Sequence, residues 1–169
     1  LDKWILSRLN ETIESVTRKL NHYGISEAGR AIEDFVGDLS RWYIRRSRRR
    51  FSAVTKGFGG QAEALDFEAA SATLRHVLTE TSKLMAPFAP FFSEALYLSL
   101  NNELGIKNEG HNSKFKIPKS VHLADWPKAD KKAINKKLTV SMDEIRTIAS
   151  SVLAKRAEIG IKVRQPLAS

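Results

Sequence analysis

Residues 35–51 read Phe-Val-Gly-Asp-Leu-Ser-Arg-Trp-Tyr-Ile-Arg-Arg-Ser-Arg-Arg-Arg-Phe, and this stretch decides how the rest of the chain is interpreted. On an ideal helix at about 100° per residue, Leu39 and Trp42 share one face. Arg46 and Arg49 continue that face at the same spacing. Because unpaired arginines are too costly to bury, we predict a helix that begins in a core and then projects past it, or lies at its rim.

The end of this helix carries a concentrated positive charge. Residues 41–50 contain six arginines and no acidic residue. Arginine forms paired hydrogen bonds with phosphate and stacks on bases, so a nucleic acid is the expected partner. The neighbouring aromatic residues Trp42, Tyr43 and Phe51 offer stacking faces. The alternative is a solvated helix end whose arginines pair with acids elsewhere in the full protein. The candidate RNA-binding residues of this helix are Arg41, Trp42, Arg45, Arg46, Arg48, Arg49 and Arg50.

The rest of the sequence predicts an all-α protein. Apolar residues recur every three or four positions over several stretches, as in amphipathic helices. Short early connections favour an up-and-down bundle of four to five helices, with a long irregular insertion before the last one. Helices are expected over residues 2–21, from an N-cap at Ser26 to Phe51, from an N-cap at Asp66 to Pro87, from Pro90 to about residue 100, and from an N-cap at Asp130 to Gly160.

Glycine and proline mark the connections. Residues 54–61 contain three glycines and predict a loop. Residues 101–127 form the irregular insertion, in which residues 121–123 predict a short extended piece. We expect residues 1–127 to form the bundle and residues 128–169 to form a long helix and tail leading toward a further domain. The chain starts without methionine, which we interpret as a piece of a longer protein.

Several function classes are disfavoured by the composition. The chain has no cysteine, which excludes disulfides, thiolate zinc sites and cysteine nucleophiles. No apolar run approaches the ~20 residues of a membrane span. The four histidines lack metal-ligand spacing, and no nucleophile–base pair is recognisable. We therefore expect a binding module with no catalytic residue, no metal site and no cofactor of its own.

A second basic region covers residues 111–169, with thirteen basic and five acidic residues. Lysines crowd the start of the last predicted helix, where they oppose the helix dipole. That placement suggests a nearby polyanion, although a solubilising surface explains it equally well. An anionic membrane is disfavoured because no helix pairs a strongly apolar face with a basic one. Lys162 and Arg164 lie near the helix end, where positive charge is favourable by itself.

Five segments carry a family resemblance. They are Asp2–Asn10, Phe35–Arg46, Leu84–Phe91, Val121–Pro127 and Gly160–Leu167. Together they resemble the anticodon-binding domain of isoleucyl-tRNA synthetases over almost the whole chain. The strongest pairing is Trp-Tyr-Ile-Arg-Arg with Gly-Ile-Lys-Val-Arg-Gln-Pro-Leu. A valyl enzyme, the alternative, would be expected to carry an acidic residue where Arg45 stands.

The resemblance implies a helical domain that receives the anticodon stem and loop of an isoleucine tRNA, and it adds Lys162 and Arg164 to the RNA-binding candidates. It implies a cytoplasmic, monomeric parent synthetase that charges tRNA with isoleucine using ATP and Mg²⁺. The family's His-Ile-Gly-His and Lys-Met-Ser-Lys-Ser motifs are absent from this sequence, so no catalysis is expected from it. A docking bundle that braces the catalytic body remains the alternative. Gly37 and residues 105–119 depart from the family pattern.

Overall fold

A computed structural model describes residues 1–53, 60–102, 119–163 and 165, and within these ranges all regular secondary structure is helical. The prediction of an all-α bundle is therefore confirmed. The α-helices are α1 (Asp2–Asn21), α2 (Ile25–Asp38), α3 (Arg45–Ala53), α4 (Gln61–Met85), α5 (Pro90–Asn102) and α6 (Lys136–Glu158), with a π-helix at Leu39–Ile44 and a 3₁₀ turn at Val121–Leu123. Residues 54–59 of the predicted loop, residues 103–118 of the predicted insertion and Arg164 lie outside the described residues.

The chain divides into two compact units, Leu1–Ile134 and Asn135–Ser169. In the first unit α1 packs against α2 and α4, and α4 also packs against α3 and α5. α1 and α2 run in opposite directions, since Arg8 near the start of α1 donates to Asp38 at the end of α2, while Lys19 Nζ reaches the Glu27 carbonyl near their connecting turn. Apolar burial holds these helices together. The apolar core consists of Trp4, Ile5, Leu9, Ile13, Val16, Ala28, Ile32, Phe35, Leu39, Tyr43, Ala70, Val77, Leu84, Tyr97 and Val121.

The π-helix changes which residues of the arginine-rich segment face the core. A π turn holds more residues than an α turn, so buried positions here fall four apart. The buried residues on this face are Phe35, Leu39, Tyr43 and Ser47. Trp42, predicted on the core face, is half-buried beside it. The predicted helix from residue 26 to Phe51 is helical throughout, but its assumed regular α geometry is wrong.

Two predicted N-caps in this unit are wrong because both helices begin earlier. α2 is capped by Gly24, whose backbone conformation starts the helix without a side-chain hydrogen bond, and Ser26 lies within the helix. α4 is capped by Gly60, which places Asp66 in its second turn. There the Asp66 carboxylate is used by Arg50, as described below. The predicted start of α5 at Pro90 is confirmed.

The segment before α6 is held by side chains of the bundle. Val121–Leu123, predicted as extended, is a 3₁₀ turn that Ser120 caps by accepting a hydrogen bond from the His122 amide, and Glu94 Oε2 accepts a 2.8 Å hydrogen bond from the Val121 amide. Trp126 Nε1 donates to Thr17 Oγ1 at 2.9 Å. The Asp130 amide donates to Asn10 Oδ1 at 2.7 Å, and the Asp130 carboxylate accepts from the Lys132 amide at 2.9 Å. Asp130 therefore caps the turn before α6 and not α6 itself.

The second unit is built on α6. Asn135 is its N-cap, and its side chain accepts a 3.0 Å hydrogen bond from the Leu138 amide. Gly160 follows the helix with a φ of 71°, which confirms its predicted role as a left-handed stop. The apolar side chains of α6 stay largely in solvent, with Thr139 the one fully buried residue among the described positions of this helix. The exposed apolar residues of α6 are Val140, Ile145, Ile148, Val152 and Leu153.

Candidate nucleic-acid interface

The arginines of the predicted helix end form an exposed surface on α3. Arg45, Arg46, Arg48 and Arg49 are exposed, and we call these four residues the arginine surface. Ser47 between them is buried and faces the bundle. Within the described residues, Arg45, Arg48 and Arg49 form no ion pair with an acidic side chain. Four neighbouring guanidinium groups repel one another.

Arg50 differs from the four exposed arginines because acidic side chains hold it. Its Nη1 and Nη2 donate to the two carboxylate oxygens of Asp2 at 2.7 and 2.8 Å. Its Nε donates to Asp66 Oδ2 at 2.9 Å, and Nη2 lies 2.7 Å from Asp66 Oδ1. These bonds lower the pKa of Asp2 below its usual value and raise that of Arg50. The sequence predicts Arg50 as an RNA-binding residue, and the structure gives it two acidic partners within the chain.

Tyr43 connects the π-helix to the same carboxylate. Its hydroxyl donates to Asp2 Oδ1 at 2.8 Å, and its ring is fully buried. Burial, followed by the hydrogen bond to Asp2, raises the pKa of Tyr43 well above its usual value. The sequence predicts Tyr43 as a stacking face beside the arginine cluster. The π-helix instead directs it inward, which was not visible from the 3.6-residue spacing.

Trp42 and Arg46 lie together at the edge of the arginine surface. The Arg46 guanidinium carbon is 5.0 Å from the centre of the Trp42 ring. This is within the range of a cation–π interaction, which stabilises a side chain that would otherwise move freely. Trp42 is half-buried, so one part of the ring supports the bundle and another reaches solvent. The pair therefore presents an aromatic face next to a positive charge.

Arg41 lies one turn earlier, over Gly37. A Cβ atom added to Gly37 would collide with the Arg41 guanidinium group, so the glycine makes room for this side chain. The family pattern leads one to expect an acidic residue at this position. Here the missing side chain is replaced by the arginine of the next turn, which is exposed at its outer edge.

The candidates of the second unit are only partly described. Lys162 is exposed, whereas Arg164 lies outside the described residues. Arg156 Nη2 donates to the carbonyl oxygens of Lys162, at 2.6 Å, and of Gln165. Arg156 therefore folds the chain after Gly160 back toward the end of α6. The lysines at the start of α6, Lys136 and Lys137, are exposed as the charge pattern suggested.

The described residues offer little to other chemistries. In the ranges that the structure describes, no three His, Cys, Asp or Glu side chains come together as a metal site would require. Over the same ranges, no helix combines the length and apolar character needed to cross a bilayer. The most distinctive site is thus the arginine surface with its support from Asp2, Tyr43 and Asp66.

The chain is similar to known proteins over almost its whole length. The family model described as the anticodon-binding domain of tRNA ligase matches residues 2–169. The chain is 40% identical to the isoleucine–tRNA ligase of Deinococcus radiodurans over 99% of its own length and 14% of that protein. It is 43% identical to the isoleucine–tRNA ligase of Porphyromonas gingivalis over 100% of its own length and 13% of that protein. It is 39% identical to the isoleucine–tRNA ligase of Thermus thermophilus over 99% of its own length and 15% of that protein. The chain thus spans about one seventh of the relatives it matches.

Proposed function

The chain belongs to the anticodon-binding domain family of tRNA ligases, and from this premise we propose that it binds the anticodon stem and loop of an isoleucine tRNA through the arginine surface. The observation that carries the proposal is the exposure of Arg45, Arg46, Arg48 and Arg49 on one short helix. Phosphate contacts position a nucleic acid, and arginine is the side chain best suited to them. The domain itself performs no catalysis.

The exposed groups differ in what they contribute. Arg45, Arg48 and Arg49 extend into solvent and contact backbone phosphates. Arg46 and Trp42 together offer a charged aromatic face, which suits an unstacked base of the loop, because single-stranded RNA is recognised by stacking on such groups. Arg41 adds positive charge beside these contacts, and we propose that Lys162 and Arg164 are RNA-binding residues as well. Arg50 supports the surface from behind.

We further propose that the complete protein is an isoleucine–tRNA ligase. The named relatives at 39–43% identity all carry that name, which favours it over the valyl alternative. Such a protein joins isoleucine to tRNA with ATP and Mg²⁺ in a catalytic region outside this chain. We propose a cytoplasmic monomer in which this bundle also contacts the rest of the synthetase.

The test is binding of the 169-residue chain to an unmodified isoleucine tRNA transcript, measured by fluorescence anisotropy at several salt concentrations. A second transcript differs only in its anticodon. A preference for the first that persists at ~0.15 M salt supports anticodon recognition by these residues. Equal and steeply salt-dependent binding to both supports an electrostatic cradle with discrimination elsewhere.

A matched variant separates these results from non-specific attraction. Replacing Arg45 and Arg49 together by Ala removes two exposed charges, whereas replacing Lys131 and Lys132 removes two charges outside the arginine surface. We expect the first pair to weaken binding and the second to have a smaller effect. If the chain binds neither transcript but binds a separately expressed catalytic region, the docking bundle is the correct function.

A further inference from the structure

We propose that Arg50 is a positioning residue, and that its bonds to Asp2 and Asp66 hold α3 so that the four residues of the arginine surface face the RNA. This inference rests on the proposed function and names the part of the structure that orients its binding groups. It also gives two carboxylates an effect on RNA binding opposite to the one that their negative charge predicts. Asp2 and Asp66 repel RNA as charges, yet they support RNA binding through the helix they hold.

The geometry around Arg50 requires arginine. Two parallel bonds join its terminal nitrogens to both oxygens of Asp2, at 2.7 and 2.8 Å. The third nitrogen, Nε, is bonded to Asp66 at 2.9 Å. All three nitrogens of the guanidinium group are thus engaged with two helices. A lysine keeps the charge but cannot make this planar fork.

α3 has few buried side chains of its own. Among its described side chains, only Ser47 is fully buried, Phe51 is half-buried, and a serine contributes little apolar area. The neighbouring guanidinium groups repel one another, which favours fraying of the helix. Arg50 links α3 to the first turn of α1 through Asp2 and to the second turn of α4 through Asp66. The side chain of Arg50 is only 20% exposed, consistent with a role inside the bundle.

Asp2, at the start of α1, is the shared partner of Arg50 and Tyr43. Asp2 Oδ1 also accepts the hydroxyl of Tyr43 at 2.8 Å. One carboxylate therefore restrains both the π-helix, through Tyr43, and α3, through Arg50. Because the π-helix sets the rotation of everything that follows it, the Asp2 contacts fix which way Arg45 and Arg49 point.

Positioning and simple electrostatics predict opposite signs for the same substitutions. Asp2→Asn and Asp66→Asn each remove a negative charge close to the arginine surface. If the surface acted through net charge alone, both variants would bind RNA more tightly. If the carboxylates hold α3, both variants bind RNA more weakly, because part of the binding free energy is then used to order the helix. Asparagine at position 2 still accepts the Tyr43 hydroxyl, so the effect reports on Arg50.

The experiment measures the affinity of the 169-residue chain and its variants for the unmodified isoleucine tRNA transcript at three salt concentrations. We expect Asp2→Asn and Arg50→Lys to weaken binding by roughly tenfold, the effect of losing one bidentate charged pair. Asp66→Asn weakens it less, since Asp66 is 52% exposed. The salt slope of Arg50→Lys stays unchanged, because the phosphate-binding arginines are all present.

The matched control is Glu68→Gln. Glu68 is an exposed carboxylate on α4, two residues from Asp66, and is not bonded to Arg50. Its removal changes the net charge equally, and we expect equal or slightly tighter binding. Circular dichroism and thermal unfolding establish that each variant is folded at the temperature of the titration. If Asp2→Asn unfolds, Arg50→Lys and Asp66→Asn, whose side chain is mostly exposed, still show whether RNA affinity falls or rises.

Binding as tight as the unsubstituted chain, or tighter, for folded Arg50→Lys and Asp66→Asn would overturn the inference. Failure of the proposed function looks different. In that case Ala at Arg45 and Arg49 leaves the affinity unchanged, whatever the carboxylate variants do. Weakening by both sets of variants supports both proposals.

Discussion

The hydroxyl of Tyr43 donates a 2.8 Å hydrogen bond to Asp2 Oδ1, joining two residues 41 positions apart in the sequence. Arg50 closes on the same carboxylate from the next helix. The beginning of α1 thereby holds both the π-helix and the base of the arginine surface. The effects of changing this small set of contacts can be measured on stability and on RNA binding separately.

Replacing Tyr43 by Phe removes the hydrogen bond and keeps the buried ring. We expect the free energy of unfolding to fall by about 1–2 kcal/mol, because Asp2 loses a buried partner. Urea unfolding followed by circular dichroism measures this. The control is Tyr23→Phe, where the side chain is 90% exposed and the change should stay within about 0.5 kcal/mol. Equal effects at the two positions would contradict the assigned role of Tyr43.

Alkaline pH should destabilise the protein through Tyr43. Burial and the bond to Asp2 raise its pKa above the usual 10.0, so the folded state keeps a proton that the unfolded state loses. The stability from this group is complete below pH 10 and is lost as pH rises through the folded pKa. We expect the free energy of unfolding to fall less steeply above pH 10 in Tyr43→Phe. Parallel pH profiles for the two proteins would contradict this expectation.

Acid pH should destabilise the protein through Asp2. The hydrogen bonds from Arg50 lower its pKa below 3.8, so its stabilising effect is present above that value and is lost as pH falls through the folded pKa. We expect Asp2→Asn to be less stable than the unsubstituted chain at pH 6. The difference in free energy of unfolding should shrink below pH 4. A difference that stays constant down to pH 2 would mean that Asp2 does not titrate with folding.

The spacing of apolar residues predicts where the helices lie, but it does not predict which side chains of the π-helix and α3 face the core. The apolar spacing of α1 predicted its bounds, because its whole buried face follows the 3.6-residue repeat. The sequence Trp42-Tyr43 contains two aromatic residues, and spacing chose Trp42 for the core. Tyr43 is buried instead, and its hydroxyl lies 2.8 Å from Asp2 Oδ1 and 3.4 Å from the Ala70 carbonyl oxygen, two acceptors distant in sequence. Long-range hydrogen bonds of this kind decide a local register that no window of sequence contains.

Local capping rules failed for a related reason. Asp is a residue type that often caps helices, but α4 begins at Gln61 and the Asp66 carboxylate lies next to Arg50. The arginine surface itself was predictable, because a run of arginines cannot be buried. The separation of Arg50 from its neighbours required the positions of α1 and α4.

The salt dependence of RNA binding should distinguish exposed arginines from Arg50. Each arginine that holds a phosphate contributes about one unit to the slope of log affinity against log salt. We expect Arg49→Ala to weaken binding and to lower the slope by about one. Arg50→Ala should weaken binding with little change in slope, because its charge is already paired with Asp2. An unchanged slope for Arg49→Ala would remove that residue from the phosphate contacts.

Tryptophan fluorescence should report contact at the Arg46–Trp42 pair. Of the three tryptophans, Trp4 is 1% exposed in the core, and Trp126 donates its indole N–H to Thr17 at 2.9 Å. Trp42 lies under Arg46 at the edge of the arginine surface, where a stacked base would quench its emission. We expect RNA to quench the emission of the unsubstituted chain and of Trp126→Phe but not that of Trp42→Phe. Quenching that survives in Trp42→Phe would place the RNA away from this pair, because the remaining fluorophores belong to the core and to the segment before α6.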